Sequence, residues 1–264
     1  MAKQFASAVI GALFGFTGLT AAQGTPQDLV GILRSGTLTA RHQAARDVLQ
    51  TPPQQRGEVL WVALANELQR VASESHDRDD ALAAGRHVDP MGEGSSDYYQ
   101  TLVAAVTQWQ DPRALQPLIS SAGRGMLVIR GIVPFGERAV APLIQAARTG
   151  HRGEQMGVLL TLQILLEGSR IEPYNIQPTP LSPAARQQIV QLARDLLRPR
   201  PGVWRDLPTE ADLALATGDE ELRQQVELLA REPGLIAQFT LAGDANEIAR
   251  LQNAIRVRLD RHKR

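Results

Sequence analysis

One phrase, occurring twice, constrains this chain more than any other feature. DPRALQPLISSA, Asp111 to Ala122, returns as GERAVAPLIQAA, Gly136 to Ala147, at an offset of 25 residues. Arg113/Arg138, Ala114/Ala139, Pro117/Pro142, Leu118/Leu143, Ile119/Ile144 and Ala122/Ala147 match. Each copy is a run of helix formers with an apolar stripe that a single helix cannot bury, so a fixed offset means that neighbouring copies shelter one another. The expected fold class is therefore all-α, an α-solenoid of antiparallel helix pairs.

The prolines test that expectation. An interior proline costs a helix about 3 kcal/mol, and a domain is stable by only roughly 5–15 kcal/mol. Pro117 and Pro142 must therefore sit at tolerated bends, or the α-helix proper must begin later than the Asp111-Pro112 cap.

The flanks also read as helical. Thr25-Pro26 caps a helix carrying Leu29, Val30, Ile32 and Leu33. A second helix runs from about Thr39 to Gln50, and a third from Gln54 carries Leu60, Leu64, Leu68 and Val71 at helical spacing. Between Ser73 and Ser96 the pattern fails among scattered acids and glycines, and a loop insertion is expected there. Ser96 is read as the cap of a helix with Tyr99, Leu102, Val106 and Trp109 on one side. Met126 to Val133 forms a short helix between the copies, and Arg152 to Glu167 is apolar nearly all round, hence enclosed on several faces. Residues 168–182 and 198–208 read as proline-rich connectors, with helices at Ser182-Pro183 onward, Thr209 to Ala216, Asp219 to Arg231, Pro233 to Thr240 and from Asp244.

Lys3, the weakly apolar run Phe5 to Leu19 and the small residues Thr20-Ala21-Ala22 describe a signal-peptide helix over residues 1–22, cut after Ala22. The expected organisation is this leader followed by a single helical-repeat domain, 23–264, exported to the periplasm or secreted. A retained anchor is the rival, but Gly11, Gly15, Gly18 and Thr17 dilute a run already at the lower limit for a span. No stable membrane insertion is expected after cleavage.

Composition excludes several kinds of chemistry. With no cysteine there are no disulfides, thiol nucleophiles or thiolate-held metals. Lysine occurs only at Lys3 and Lys263, which removes P-loop and Schiff-base lysines from the folded body. Basic and acidic residues balance at 28 each, so no global attraction to nucleic acid is expected. His76 and His87 with Asp77, Asp79, Asp80 and Asp89 gather potential metal ligands, but in a stretch with little to fix them. His42, His151 and His262 fall on polar helix faces or ends, and no triad, zinc or phosphate motif is present. No catalytic residue, metal site or cofactor is expected.

At the core the chain resembles the HEAT-repeat family, through Asp111-Pro112-Arg113-Ala114 with Pro117-Leu118-Ile119 and Glu137-Arg138-Ala139-Val140 with Pro142-Leu143-Ile144. The resemblance covers roughly Trp109 to Gly168. It departs from the family in its spacing, since HEAT units run to about 40–47 residues, and in showing two copies only. It implies a stacked-helix architecture and a habit of binding proteins, and no shared catalytic residues. Arg113 and Arg138, at equivalent places, are the candidate partner-binding residues. The expected function is a scaffold for protein–protein interaction without catalysis. The alternative is an exported α/α-barrel hydrolase, which would need two carboxylates held at defined separation.

Overall fold

The computed structural model describes residues 25–89, 93–199, 206–240 and 244–262. Those residues are all-helical, and their one β-type pairing is an isolated antiparallel bridge between Ser169 and Ile176. The expected leader lies outside the described residues, as does the middle of the 198–208 connector. In order come α1 (Pro26–Ser35), α2 (Leu38–Gln50), α3 (Gly57–Ala83), α4 (Ser95–Val106), α5 (Leu115–Ser120), α6 (Met126–Ile132) and α7 (Val140–Thr149). After them are α8 (Arg152–Glu167), α9 (Pro183–Leu196), α10 (Leu207–Ala216), α11 (Glu220–Arg231), α12 (Pro233–Ala237) and α13 (Ala245–His262).

Helix α1 starts where Thr25 and Asp28 cap each other reciprocally, and α2, α9 and α11 start on Thr37, Ser182 and Asp219, whose side-chain oxygens accept first-turn N–H groups. As far as α10, each helix packs on the next but one. The odd helices α1, α3, α5, α7 and α9 touch in that order, and so do the even helices α2, α4, α6, α8 and α10. Each odd helix also touches the even helix that follows it. Helices α11 to α13 close on α10, with α13 packed against α10, α11 and α12.

One contiguous core runs through α1 to α10, with Leu64, Leu102, Leu118, Leu143 and Leu162 among its members. A second, around Leu207, Leu222, Val226, Ile255 and Leu259, lies between α9 and α13. Of the apolar positions expected inside α8, Val158, Leu159, Leu162, Ile164, Leu165 and Leu166 are buried. The exceptions are Met156, 44% exposed, and the half-buried Leu160.

The two copies of the repeat fold alike. A 3-10 turn leads into each, Pro112–Ala114 before α5 and Val133–Ala139 before α7, so the α-helix proper begins at Leu115 and Val140. Pro117 and Pro142 are each the third residue of their helix, where the N–H that proline lacks is one of those without an i−4 partner in the α-helix. Asp111 caps the first turn by accepting the Arg113 N–H at 2.9 Å. At the matching point of the second copy Gly136 takes a left-handed φ of 58°, which kinks the chain instead. Ala114 and Ala139, and Leu118 and Leu143, are fully buried pairs.

The loop insertion expected over 73–96 is corrected in its first half: α3 continues to Ala83. The stop signal is Gly85, at φ +68°, with Arg86 N–H donating to the Ala81 carbonyl at 2.9 Å and Gly85 N–H to that of Leu82 at 3.0 Å. This last part of α3 is held by polar contacts, Ser75 to Arg124 and Asp80 to His151. A helix end anchored that way shows no aliphatic period. Residues 168–182 form no helix, and at their end the Glu137 carboxylate accepts from the Ser182 N–H (2.9 Å) and hydroxyl (2.8 Å).

Helix α8 approaches its neighbours backbone to backbone. A Cβ at Gly157 would lie 2.2 Å from the Ala122 carbonyl carbon, and one at Gly123 would lie 2.5 Å from the Gly153 carbonyl oxygen. This contact sets the first turn of α8, with His151 and Glu154, beside α3 and α7.

Candidate functional site

Three consecutive odd helices present a polar stripe to one open cleft of about 300 Å³. On α3 the stripe is Gln69, Ser73 and His76, on α5 Gln116 and Ser120, and on α7 Gln145 and Thr149, with Pro142 beside them. Spacings of three, four and seven residues put each set on one helix face. The start of α8 closes one end with His151 and Glu154.

The amides and hydroxyls bond loosely among themselves. Gln69 Nε2 donates to Ser120 Oγ at 3.2 Å, Gln116 Nε2 to the same oxygen at 3.5 Å and Gln145 Nε2 to Thr149 Oγ1 at 3.4 Å. The Gln69 amide oxygen is buried and accepts no hydrogen bond. Such groups both donate and accept, which suits a peptide main chain with its alternating N–H and C=O.

The closed end holds the ionisable groups. The His76 and His151 rings stack with centroids 4.6 Å apart, and His151 Nδ1 lies 2.8 Å from Asp80 Oδ2. Burial pushes the His76 imidazole below its ordinary range, and the neighbouring His151 pushes it the same way. Glu154 is 6% exposed, and one of its oxygens accepts the His151 N–H at 3.3 Å. Burial pushes its carboxyl above the ordinary range, more than the His151 contacts pull it down.

This geometry assembles no catalytic constellation among the described residues. Neither imidazole of the cleft hydrogen-bonds a hydroxyl there, so no Ser or Thr gains a general base. No group of three or more His, Asp or Glu side chains is arranged to hold a metal among the described residues. The sequence cluster of His76, Asp77, Asp79 and Asp80 is spread along α3, while His87 and Asp89 lie beyond it as an exposed pair 3.6 Å apart. Elsewhere, His42 lies 3.1 Å from Thr101, and His262 sits between Asp212 and Glu167 at 3.7 Å from each.

Arg113 and Arg138 occupy corresponding places just before α5 and α7, each over an aromatic ring, but neither lines the cleft. Arg113 covers Trp109 at 5.1 Å, Trp109 stacks on Trp61 at 5.6 Å, and the buried Arg56 covers Trp61 at 4.9 Å. Arg113 also pairs with Asp111 (2.8 Å) and Glu58 (2.7 Å). Those contacts hold the Asp111 carboxyl down at about 2, chiefly through the Arg113 hydrogen bonds. Arg138, exposed, covers Phe135 at 5.8 Å and forms no ion pair among the described residues.

The cleft is what the sequence reading missed. Its only signal was the run of amide and hydroxyl residues at helical spacing, which has the same pattern as an ordinary solvated helix face. The chain matches no family model, no curated protein and no solved structure.

Proposed function

We propose that this chain is an exported α-solenoid of HEAT type that binds a protein partner through the cleft across α3, α5 and α7 and carries out no chemistry of its own. The two interlocked series of helices support the solenoid reading, because next-but-one packing is what stacked antiparallel pairs produce. The observation that carries the binding reading is the alignment of uncharged polar stripes on three successive helices around one opening. Arg138 would add a contact at the rim, with a guanidinium already ordered over Phe135 and free for a carboxylate or carbonyl. Arg113 is engaged by Asp111, Glu58 and Trp109, and its main work is to hold the start of α5.

The test is site-specific photo-crosslinking from Gln116 and Gln145 in the native compartment, with the exposed Val59 as a control position. A discrete protein adduct from both cleft positions and none from the control is expected. Recovery of the chain alone from every position, across concentrations, would overturn the reading. Sequencing of the mature N-terminus tests export: it should begin at Gln23, and an intact Met1 or Ala2 would contradict it.

A further inference from the structure

The cleft holds one acidic side chain. Of its lining residues only Glu154, His76 and His151 ionise, and Glu154 is the one carboxylic acid among them. Asp80, against His151, lies just outside and has the same sign. Glu154 is more than nine-tenths buried, and its Oε2 caps the His151 N–H. No arginine or lysine pairs with it among the described residues. A desolvated carboxylate without a counter-ion is a costly feature that an incoming cation relieves. Around it lie the amide and hydroxyl stripes, which fit the donors and acceptors of a main chain.

We propose that the cleft takes an extended segment of a protein partner whose arginine or lysine side chain seats its cation on Glu154, while Gln69, Gln116 and Gln145 bond the segment's main chain. This deepens the reading of the cleft as a protein-binding surface and rests on it. The choice of a basic residue follows from charge, since an acidic side chain would be placed against Glu154 and Asp80 together. An apolar one would leave the buried Gln69 amide oxygen unmatched.

The test uses the full chain and three probes followed by isothermal titration: the capped pentapeptide Ac-Ala-Ala-Arg-Ala-Ala-NH2, its glutamate analogue, and arginine amide. The arginine peptide should bind saturably, the glutamate peptide should not, and arginine amide should bind much more weakly because it brings no main chain. Glu154→Gln keeps the acceptor that caps α8 and should weaken the arginine peptide roughly tenfold or more. Gln145→Glu adds a second carboxylate to the opening and should tighten it, which guards against a loss caused only by misfolding. Equal binding of the two peptides, arginine amide matching the arginine peptide, or indifference to both substitutions would overturn the proposal. If Glu154→Gln leaves the Gln116 photo-adduct intact, the cation proposal fails while the interaction cleft survives. If the unsubstituted chain gives no adduct, the cleft reading itself fails.

Discussion

Glu67 shows how a single side chain ties three helices together. It is buried on α3, and its carboxylate accepts from Arg41 of α2 (3.0 Å), from Arg70 one turn on (2.7 and 2.8 Å) and from the Tyr98 hydroxyl of α4 (2.6 Å). Burial pushes the Glu67 carboxyl up, but the hydrogen bonds from Arg70 and Tyr98 and the charges of Arg70 and Arg41 outweigh it, so the net shift is down. The Tyr98 hydroxyl is pushed far up by burial and by that same carboxylate. A carboxyl lowered in the folded state contributes stability above its unfolded pKa of about 4.3, and the contribution is lost as pH falls through the folded value. We expect Glu67→Ala to cost about 3 kcal/mol in urea unfolding at pH 7, the low end for a broken buried pair because Arg70 is 40% exposed. The difference from the unsubstituted chain should shrink below pH 4. A loss that does not change with pH would place the effect in packing rather than in charge.

At the scale of the element, two features can be separated by paired substitutions. Gly157 and Gly153 lie on the same face of α8, yet a Cβ at the first would meet backbone at 2.2 Å and at the second would meet open space. Gly157→Ala should therefore cost roughly 3 kcal/mol through displacement of α8 from the Ala122–Arg124 turn. Gly153→Ala should be neutral or stabilise by up to about 1 kcal/mol. Equal effects in urea unfolding would show that α8 is free to shift. The prolines give the second pair. Because Pro117 and Pro142 are each third in their helix, replacing either with alanine should change stability by less than about 1 kcal/mol. A gain near 3 kcal/mol, the full cost of an interior proline, would mean that the helices begin at the caps after all.

Across the whole molecule the helices contact mainly their near neighbours in sequence, and the two cores meet at α9 and α10. The solenoid we propose predicts that stability is close to a sum of local terms. Asp212 on α10 is the main ionic anchor for α13: its side chain is 9% exposed, with Arg258 at 2.8 Å, His262 at 3.7 Å and Arg261 at 3.9 Å. Asp212→Ala should weaken the docking of α13 by about 3 kcal/mol. Hydrogen exchange should then show faster exchange in α13 while α3 to α5 keep their protection. Loss of protection throughout would mean one cooperative unit rather than a modular stack.

The sequence by itself determined the helices and most of their ends, because caps, breakers and the 3.6-residue apolar period act within a few residues of chain. Thr25, Ser182 and Asp219 start helices where they stand, and the 25-residue echo placed Pro117 and Pro142 in matching surroundings. The same local logic failed for Ser73 to Ala83, where a helix end held by Arg124 and His151 carries no aliphatic stripe of its own. Arg113 and Arg138 could be paired by register, but the sequence did not reveal that Glu58, 55 positions away, would engage only Arg113. The cleft was decided by tertiary structure alone. Gln69, Gln116 and Gln145 are unremarkable on their separate helices and become a surface only when next-but-one packing brings α3, α5 and α7 side by side. The Glu154 carboxylate, in turn, is buried only once the start of α8 packs at the end of the cleft beside α3 and α7.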